Sequence, residues 1–137
     1  PLGGVYQAGT LSGNPLAVAA GLKTLELLEH RGTYEQLSER GTQLAAGLAE
    51  VVTTMQLDAH VAHAGSLLTL FFRKAPVHAW EDAASCDTAA FGKFHQAMLA
   101  KGVFLPPSQF EAWFVSLAHA EVDVQATINA AAQALQT

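Results

Sequence analysis

Basic clusters, a second cysteine and long apolar runs are all missing from this 137-residue sequence. Seven Lys and Arg stand against twelve Asp and Glu, for a formal net charge of −5, and no basic run exceeds Arg73-Lys74. That excludes binding along a nucleic-acid backbone, which needs clustered cations. Cys86 is the single cysteine, so an intramolecular disulfide framework is impossible and a reducing compartment is expected. The longest apolar stretches, such as residues 67–72, fall far short of a membrane span. The first residues carry neither the basic region nor the long apolar stretch of a secretory signal. The sequence also opens on Pro1 rather than Met. A cytoplasmic domain that is one piece of a longer chain is therefore the expectation, with the plastid stroma as the alternative for a plant source.

What is present is apolar: half of the residues are hydrophobic and 14% are charged. Either part of the surface is covered by a partner or by further chain, or the domain is an Ala-rich, well-packed monomer.

Helical periodicity begins at Pro15 and runs through Leu16, Ala19, Leu22, Leu25 and Leu28 towards Gly32. Asn14 suits the N-cap and Pro15 the first helical position. Thr33, with Gln36 three residues later, has the capping-box pattern of a second helix reaching about Met55. Within it Gly41 and Gly47 weaken helicity slightly. Val61–Ala64 and Ser66–Arg73 read as a bent strand or two short ones broken at Gly65. Residues 74–88 read as a surface loop with a turn. Asp87 or Thr88 caps a third helix that Gly102 stops. Val103–Leu105 and Trp113–Leu117 read as short strands, and Asp123–Leu135 as a final helix. The order predicts an α+β fold, with helices packed on one face of a small, mostly antiparallel sheet. Residues 1–32 form an interface segment and a long connecting helix, and residues 33–137 form the α+β domain.

Two stretches carry candidate chemistry. In YQAGTLSGNP, residues 6–15, amides at a helix N-terminus favour an anion such as phosphate. Gly9 and Gly13 permit close backbone approach, and Thr10 and Ser12 add hydroxyl donors. A plain capped helix start is the competing reading; it accounts for Asn14-Pro15 but not for residues 10–13. In PPSQFEAWFVSLAH, residues 106–119, Glu111 lies between Phe110 and Trp113. A carboxylate in such an apolar setting suits acid–base work, against the alternative of an edge-strand Glu facing water. His60 and His63 are spaced so that a strand would turn them to opposite faces, and no ligand cluster points to a metal. Cys86 has no basic sequence neighbour to activate it.

VYQAGTLSGNPLAVAAGLKTLELL, GSLLTLFF and GVFLPPSQFEAWFVSLAH together resemble the C-terminal part of the glutamate-1-semialdehyde aminomutase family. That family lies in the class-III aminotransferase branch of fold-type I pyridoxal-phosphate enzymes. GT-x-SGNP marks the wider branch, and PPSQFEA with SLAH marks the aminomutases. The resemblance implies the small domain of such an enzyme and pyridoxal or pyridoxamine 5′-phosphate as cofactor. Its substrate would be glutamate-1-semialdehyde, converted to 5-aminolevulinate for porphyrin synthesis. It also implies a homodimer in which Gly9 and Thr10 hold the phosphate of the neighbouring subunit's cofactor. Glu111 would be the active-site carboxylate, and Tyr6, Gln7 and Ser12 would wall the pocket. No metal is implied.

The sequence departs from the family in two ways. Lys23, Lys74, Lys93 and Lys101 match no cofactor-anchoring motif, so the chain by itself is expected to be inactive. Ala120 stands where the family's threonine is expected. The alternatives are a class-III aminotransferase of other specificity and a non-catalytic assembly module.

Overall fold

Asn14 starts the first helix as its side chain dictates. In the computed structural model, which describes Gly4 and residues 8–136, Asn14 Oδ1 accepts from the amides of Leu16 and Ala17 at 3.1 and 3.2 Å. Pro15 occupies the first turn of α1 (Pro15–Leu28), where its missing N–H is no loss. The chain divides into two compact units, Pro1–Tyr34 and Glu35–Thr137. In the first unit Leu16, Leu22 and Leu25 on α1 are exposed. Thr33, at the start of α2 (Thr33–Thr54), donates its hydroxyl to the Leu27 carbonyl at 3.4 Å.

The second unit takes most of α2, then β1 (His60–Ala64), β2 (Leu67–Phe71), α3 (Trp80–Ala84), α4 (Thr88–Ala100), β3 (Trp113–Phe114) and α5 (Glu121–Ala134). The three strands form an antiparallel sheet in the order β1-β2-β3. Of the two forms expected for residues 61–73, a bent strand or two short ones, the structure has two short strands paired as a hairpin. Ala64 pairs with Leu67 across Gly65-Ser66, and Gly65 has φ +61°, a backbone that β-branched or bulky residues avoid. His60 and His63 sit three residues apart on β1, so the pleat turns them to opposite faces.

Leu44 and Leu48 of α2, Phe94 and Met98 of α4, and Val124 and Ala131 of α5 join Leu68 and Leu70 of β2 in one core. Leu48, Leu70 and Met98 are its fully buried large side chains. This is the α+β arrangement, helices against a small antiparallel sheet, that the order of elements predicts. A row of rings, Phe91, Phe72, Phe94 and Trp113, runs from α4 to β3 with centroids 5.6–6.5 Å apart, the spacing at which aromatic pairs attract.

Four sequence expectations change. Val103–Leu105 is not a strand: the Val103 amide is held by the Met98 carbonyl at 3.0 Å, and the Leu105 carbonyl accepts from His95 Nε2 at 3.1 Å. Both backbone groups are thus held by α4, and these residues pair with no strand of the sheet. The strand expected over Trp113–Leu117 ends at Phe114. The Val115 amide still reaches the Ser66 carbonyl at 3.0 Å, but Ser116 turns back to give its amide to His119 Nδ1 at 3.0 Å. The loop expected over residues 74–88 contains α3. Finally, α5 begins at Glu121 rather than Asp123. Its N-cap, Ala120, has no side-chain acceptor, and Asp123 instead reaches back to the Ala120 amide at 2.8 Å. Asp87, by contrast, caps α4 as expected, accepting from the Ala90 amide at 2.9 Å.

Candidate functional site

Gly9, Thr10 and Ser12 share one exposed turn ahead of α1. The Ser12 amide donates to the Gly9 carbonyl at 3.1 Å and the Asn14 amide to the Leu11 carbonyl at 3.0 Å. A side-chain carbon at position 9 would lie 2.6 Å from Ser12 Oγ, so glycine is what lets the serine fold over the turn. Gly13 completes the turn at φ +77°. The helix-terminus reading needs amending here. Asn14 already takes the amides of Leu16 and Ala17, so the first turn of α1 has little left to offer an anion. The free donors are one step upstream: the amide and hydroxyl of Thr10 make no hydrogen bond among the described residues. Tyr6 and Gln7 lie outside the described residues.

Glu111 belongs to the second unit, in the loop that leads into β3. β3 pairs with β2 only through Leu67↔Phe114 and Leu68↔Trp113. Beyond that point a side chain takes over from the strand: Gln109 is buried and donates Nε2 to the Leu70 carbonyl at 2.8 Å. Thr69 adds a longer bond from its hydroxyl to the Glu111 carbonyl at 3.4 Å. Ser108 closes the turn, its hydroxyl accepting from the Phe110 amide and its carbonyl from the Glu111 amide, both at 3.2 Å. Trp113 points into the core and Glu111 is exposed. The apolar setting expected from the flanking rings is therefore absent in this chain, and the carboxylate projects from a fixed backbone into the open.

Sequence reasoning missed Gln109. Its buried Oε1 has no hydrogen-bond partner among the described residues, yet nothing in the neighbouring sequence separates it from a solvated loop amide. A cavity of about 120 Å³ lies between residues 103–106, β3 and α5, lined by Phe104, Trp113, Val115, His119 and Asp123 among others. Glu111 is not on its wall.

The segment between β2 and α4 also has order that the sequence did not show. Arg73 Nη1 meets Asp82 Oδ1 at 2.7 Å, and Asp82 Oδ2 accepts from the amides of His78 and Ala79 at 3.0 and 3.2 Å. The Arg73 guanidinium beside it, and then the His78 amide, hold the Asp82 carboxyl down from 3.8 to about 2. A carboxylate that is more acidic folded than unfolded stabilises the fold above its ordinary value and loses that contribution as pH falls through its folded value. Thermal melts of wild type and Asp82→Asn are therefore expected to differ at neutral pH. They should converge as pH drops from about 3.8 to about 2; curves that stay apart throughout would exclude the ion pair as the cause. Burial pushes the Cys86 thiol up despite the nearby Arg73 charge, so this cysteine is not an activated nucleophile.

Among the described residues no three His, Cys, Asp or Glu side chains gather as a metal site, and no helix is long and apolar enough to cross a membrane. The lysines are dispersed. Lys23 pairs with Glu26 at 2.8 Å, Lys101 donates to Gln133 at 3.0 Å, and Lys74 and Lys93 are exposed.

No family model matches the chain. Individual proteins do. The glutamate-1-semialdehyde 2,1-aminomutase of Thermomicrobium roseum is 56% identical over 135 residues, covering 98% of this chain. That of Desulfatibacillum aliphaticivorans is 52% identical over 136 residues, covering 99%. Along almost its whole length the chain is similar to glutamate-1-semialdehyde 2,1-aminomutases. It spans about 31% of the length of these relatives. Among solved structures, an omega-transaminase from Sphaerobacter thermophilus is 27% identical, with a TM-score of 0.78 over 96% of this chain and 30% of its own. A glutamate-1-semialdehyde aminomutase from Pseudomonas aeruginosa, solved in complex with PMP, superposes with a TM-score of 0.83 over 99% of this chain and 31% of its own. At 23% identity that likeness speaks for the shared fold.

Proposed function

We propose that this chain is the C-terminal part of a pyridoxal-phosphate-dependent aminomutase. The full-length protein would convert glutamate-1-semialdehyde to 5-aminolevulinate by intramolecular amino transfer. The observation that carries this reading is the 56% identity over 98% of the chain, which includes both the Gly9–Gly13 turn and the Glu111 loop. Residues 1–32 are read as interface segment and connecting helix, and residues 33–137 as the small domain.

The donor set at Gly9-Thr10 fits a phosphate. Thr10 offers a hydroxyl and an amide with no partner among the described residues, and Gly9 has no side chain to obstruct them. In a homodimer these two residues hold the phosphate of the cofactor bound to the second subunit, and Ser12 lies beside them in the pocket wall. Tyr6 and Gln7 are assigned to the same wall on the resemblance alone. When bound, pyridoxamine phosphate supplies the amino group and an electron sink. Glu111 is the catalytic residue of this chain: a carboxylate suits a substrate end that is an amine or an aldehyde, where it orients the amine and moves a proton. None of the four lysines lies in a closed, apolar site that would suit it to carry the cofactor, so this chain alone is read as inactive. The compartment is read as the cytoplasm.

The test is to incubate the full-length protein, loaded with pyridoxamine phosphate, with glutamate-1-semialdehyde and no other amino donor. Formation of 5-aminolevulinate is expected. A requirement for an external donor and a keto-acid acceptor would replace this reading with a class-III aminotransferase of other specificity, the activity named for the Sphaerobacter neighbour.

A further inference from the structure

Trp80 is large, apolar and 64% exposed, on a five-residue helix that buries no residue of its own. Such a side chain contributes little to a core. What it touches is Phe110, with ring centroids 5.2 Å apart and planes tilted by 51°. Phe110 is itself 48% exposed and immediately precedes Glu111.

The loop is thus gripped at two adjacent residues by unrelated parts of the fold. Gln109 is tied to the Leu70 carbonyl, and Phe110 lies against Trp80. Trp80 is placed independently of the loop: the Arg73–Asp82 ion pair and the two amides bonded to Asp82 fix the start of α3. The Asp87 amide, bonded to the Phe72 carbonyl at 3.0 Å, ties the far end of that segment to the end of β2. Glu111 has no such restraint of its own, since its carboxylate makes no hydrogen bond or ion pair among the described residues. Where its carboxylate stands therefore depends on how firmly residues 109 and 110 are held.

We propose that Trp80 is a positioning residue for Glu111, acting through its ring contact with Phe110, with the Arg73–Asp82 pair as the brace for Trp80. This inference rests on Glu111 being the catalytic carboxylate of the proposed reaction. Catalytic groups must be held to within a fraction of an ångström of their working geometry, and it is supporting residues that do so.

The experiment is a double-mutant cycle in the full-length protein, reading kcat and KM for glutamate-1-semialdehyde together with the melting temperature. Trp80→Ala should lower kcat roughly two- to tenfold, the effect of one aromatic pair, with KM and melting temperature little changed. Trp80→Phe, which keeps a ring, should restore most of kcat. In a Glu111→Gln background the Trp80→Ala loss should disappear, because the group being positioned no longer acts. A Trp80→Ala enzyme with wild-type kcat would overturn the proposal. So would an equal loss in both backgrounds, with Glu111→Gln itself impaired, and that result leaves the role of Glu111 standing. If Glu111→Gln turns over like wild type, the catalytic reading of Glu111 fails and the positioning role falls with it.

Discussion

Glu111→Gln in the full-length protein is expected to lower turnover of glutamate-1-semialdehyde by about a hundredfold, the low end of what a positioned acid–base group contributes. Cofactor content should stay at the wild-type level. Glutamine keeps the size of the side chain and can still form hydrogen bonds, but it cannot carry a proton. A purely steric role would survive the change and a proton-handling role would not. The loop itself should be unaffected, since it is held by Gln109 and Ser108 and by the Glu111 backbone rather than its carboxylate. Thr10→Ala should show the opposite pattern. It removes one hydroxyl donor to a charged oxygen, which weakens cofactor retention by about 1.5–3 kcal/mol, or roughly ten- to a hundredfold. Steady-state kinetics under saturating cofactor, with absorbance of the bound cofactor after dialysis, separates the two. If Glu111→Gln loses cofactor, or Thr10→Ala holds it as tightly as wild type, the roles assigned here are wrong.

The second large effect concerns stability, and it contrasts two glycines on one helix. Gly41 of α2 is buried, and a side-chain carbon there would run into the Gly65 carbonyl oxygen and lie 3.0 Å from Ser66 Cα. Those are backbone atoms of the hairpin turn and cannot step aside alone. Gly41→Ala should therefore destabilise by about 1–3 kcal/mol, as overpacking does, even though alanine is the better helix former by about 1 kcal/mol. At Gly47 the carbon would meet Cδ1, Cγ1 and Cγ2 of the Ile128 side chain, side-chain atoms rather than backbone. There the helix-propensity gain offsets the repacking, and Gly47→Ala should stay within about 1 kcal/mol of wild type. Urea denaturation of the two variants gives the comparison directly. Similar values for both would mean that α2 and the hairpin are not in the close contact seen in the structure.

These two glycines also mark where the sequence stops being informative. Read along the chain, both are mild helix weakeners; only the fold brings residue 65 over residue 41 and residue 128 over residue 47. The features legible in advance are those whose cause is local: the Asn14 and Asp87 caps, Pro15 in the first turn, and the glycine break at Gly65. The Gly9–Gly13 turn and the Glu111 loop stood out as stretches because polar and small residues interrupt apolar periodicity there. What each residue does within them was less visible. Asn14 takes the amides that an anion would have used, and Gln109 looks like any loop amide until it is seen bonded to Leu70. Residues 103–105 have strand composition and no strand partner; α4 holds the Val103 amide and the Leu105 carbonyl instead. Arg73 and Asp82 are nine positions apart with nothing in the intervening sequence to predict their pairing.

The point at which β3 stops and Gln109 takes over has a consequence for how this domain can vary. A ladder of backbone bonds constrains every residue along it, because a shift of one position turns all the side chains over. The loop holding Glu111 is tied to β2 by side-chain bonds, the Gln109 amide to the Leu70 carbonyl and the Thr69 hydroxyl to the Glu111 carbonyl, rather than by a ladder, so it is insulated from that constraint. Residues 110–112 can therefore change in kind without disturbing the register of β1 and β2. The scaffold and the chemistry it presents are separately mutable, which is the condition under which one fold can serve enzymes with different substrates.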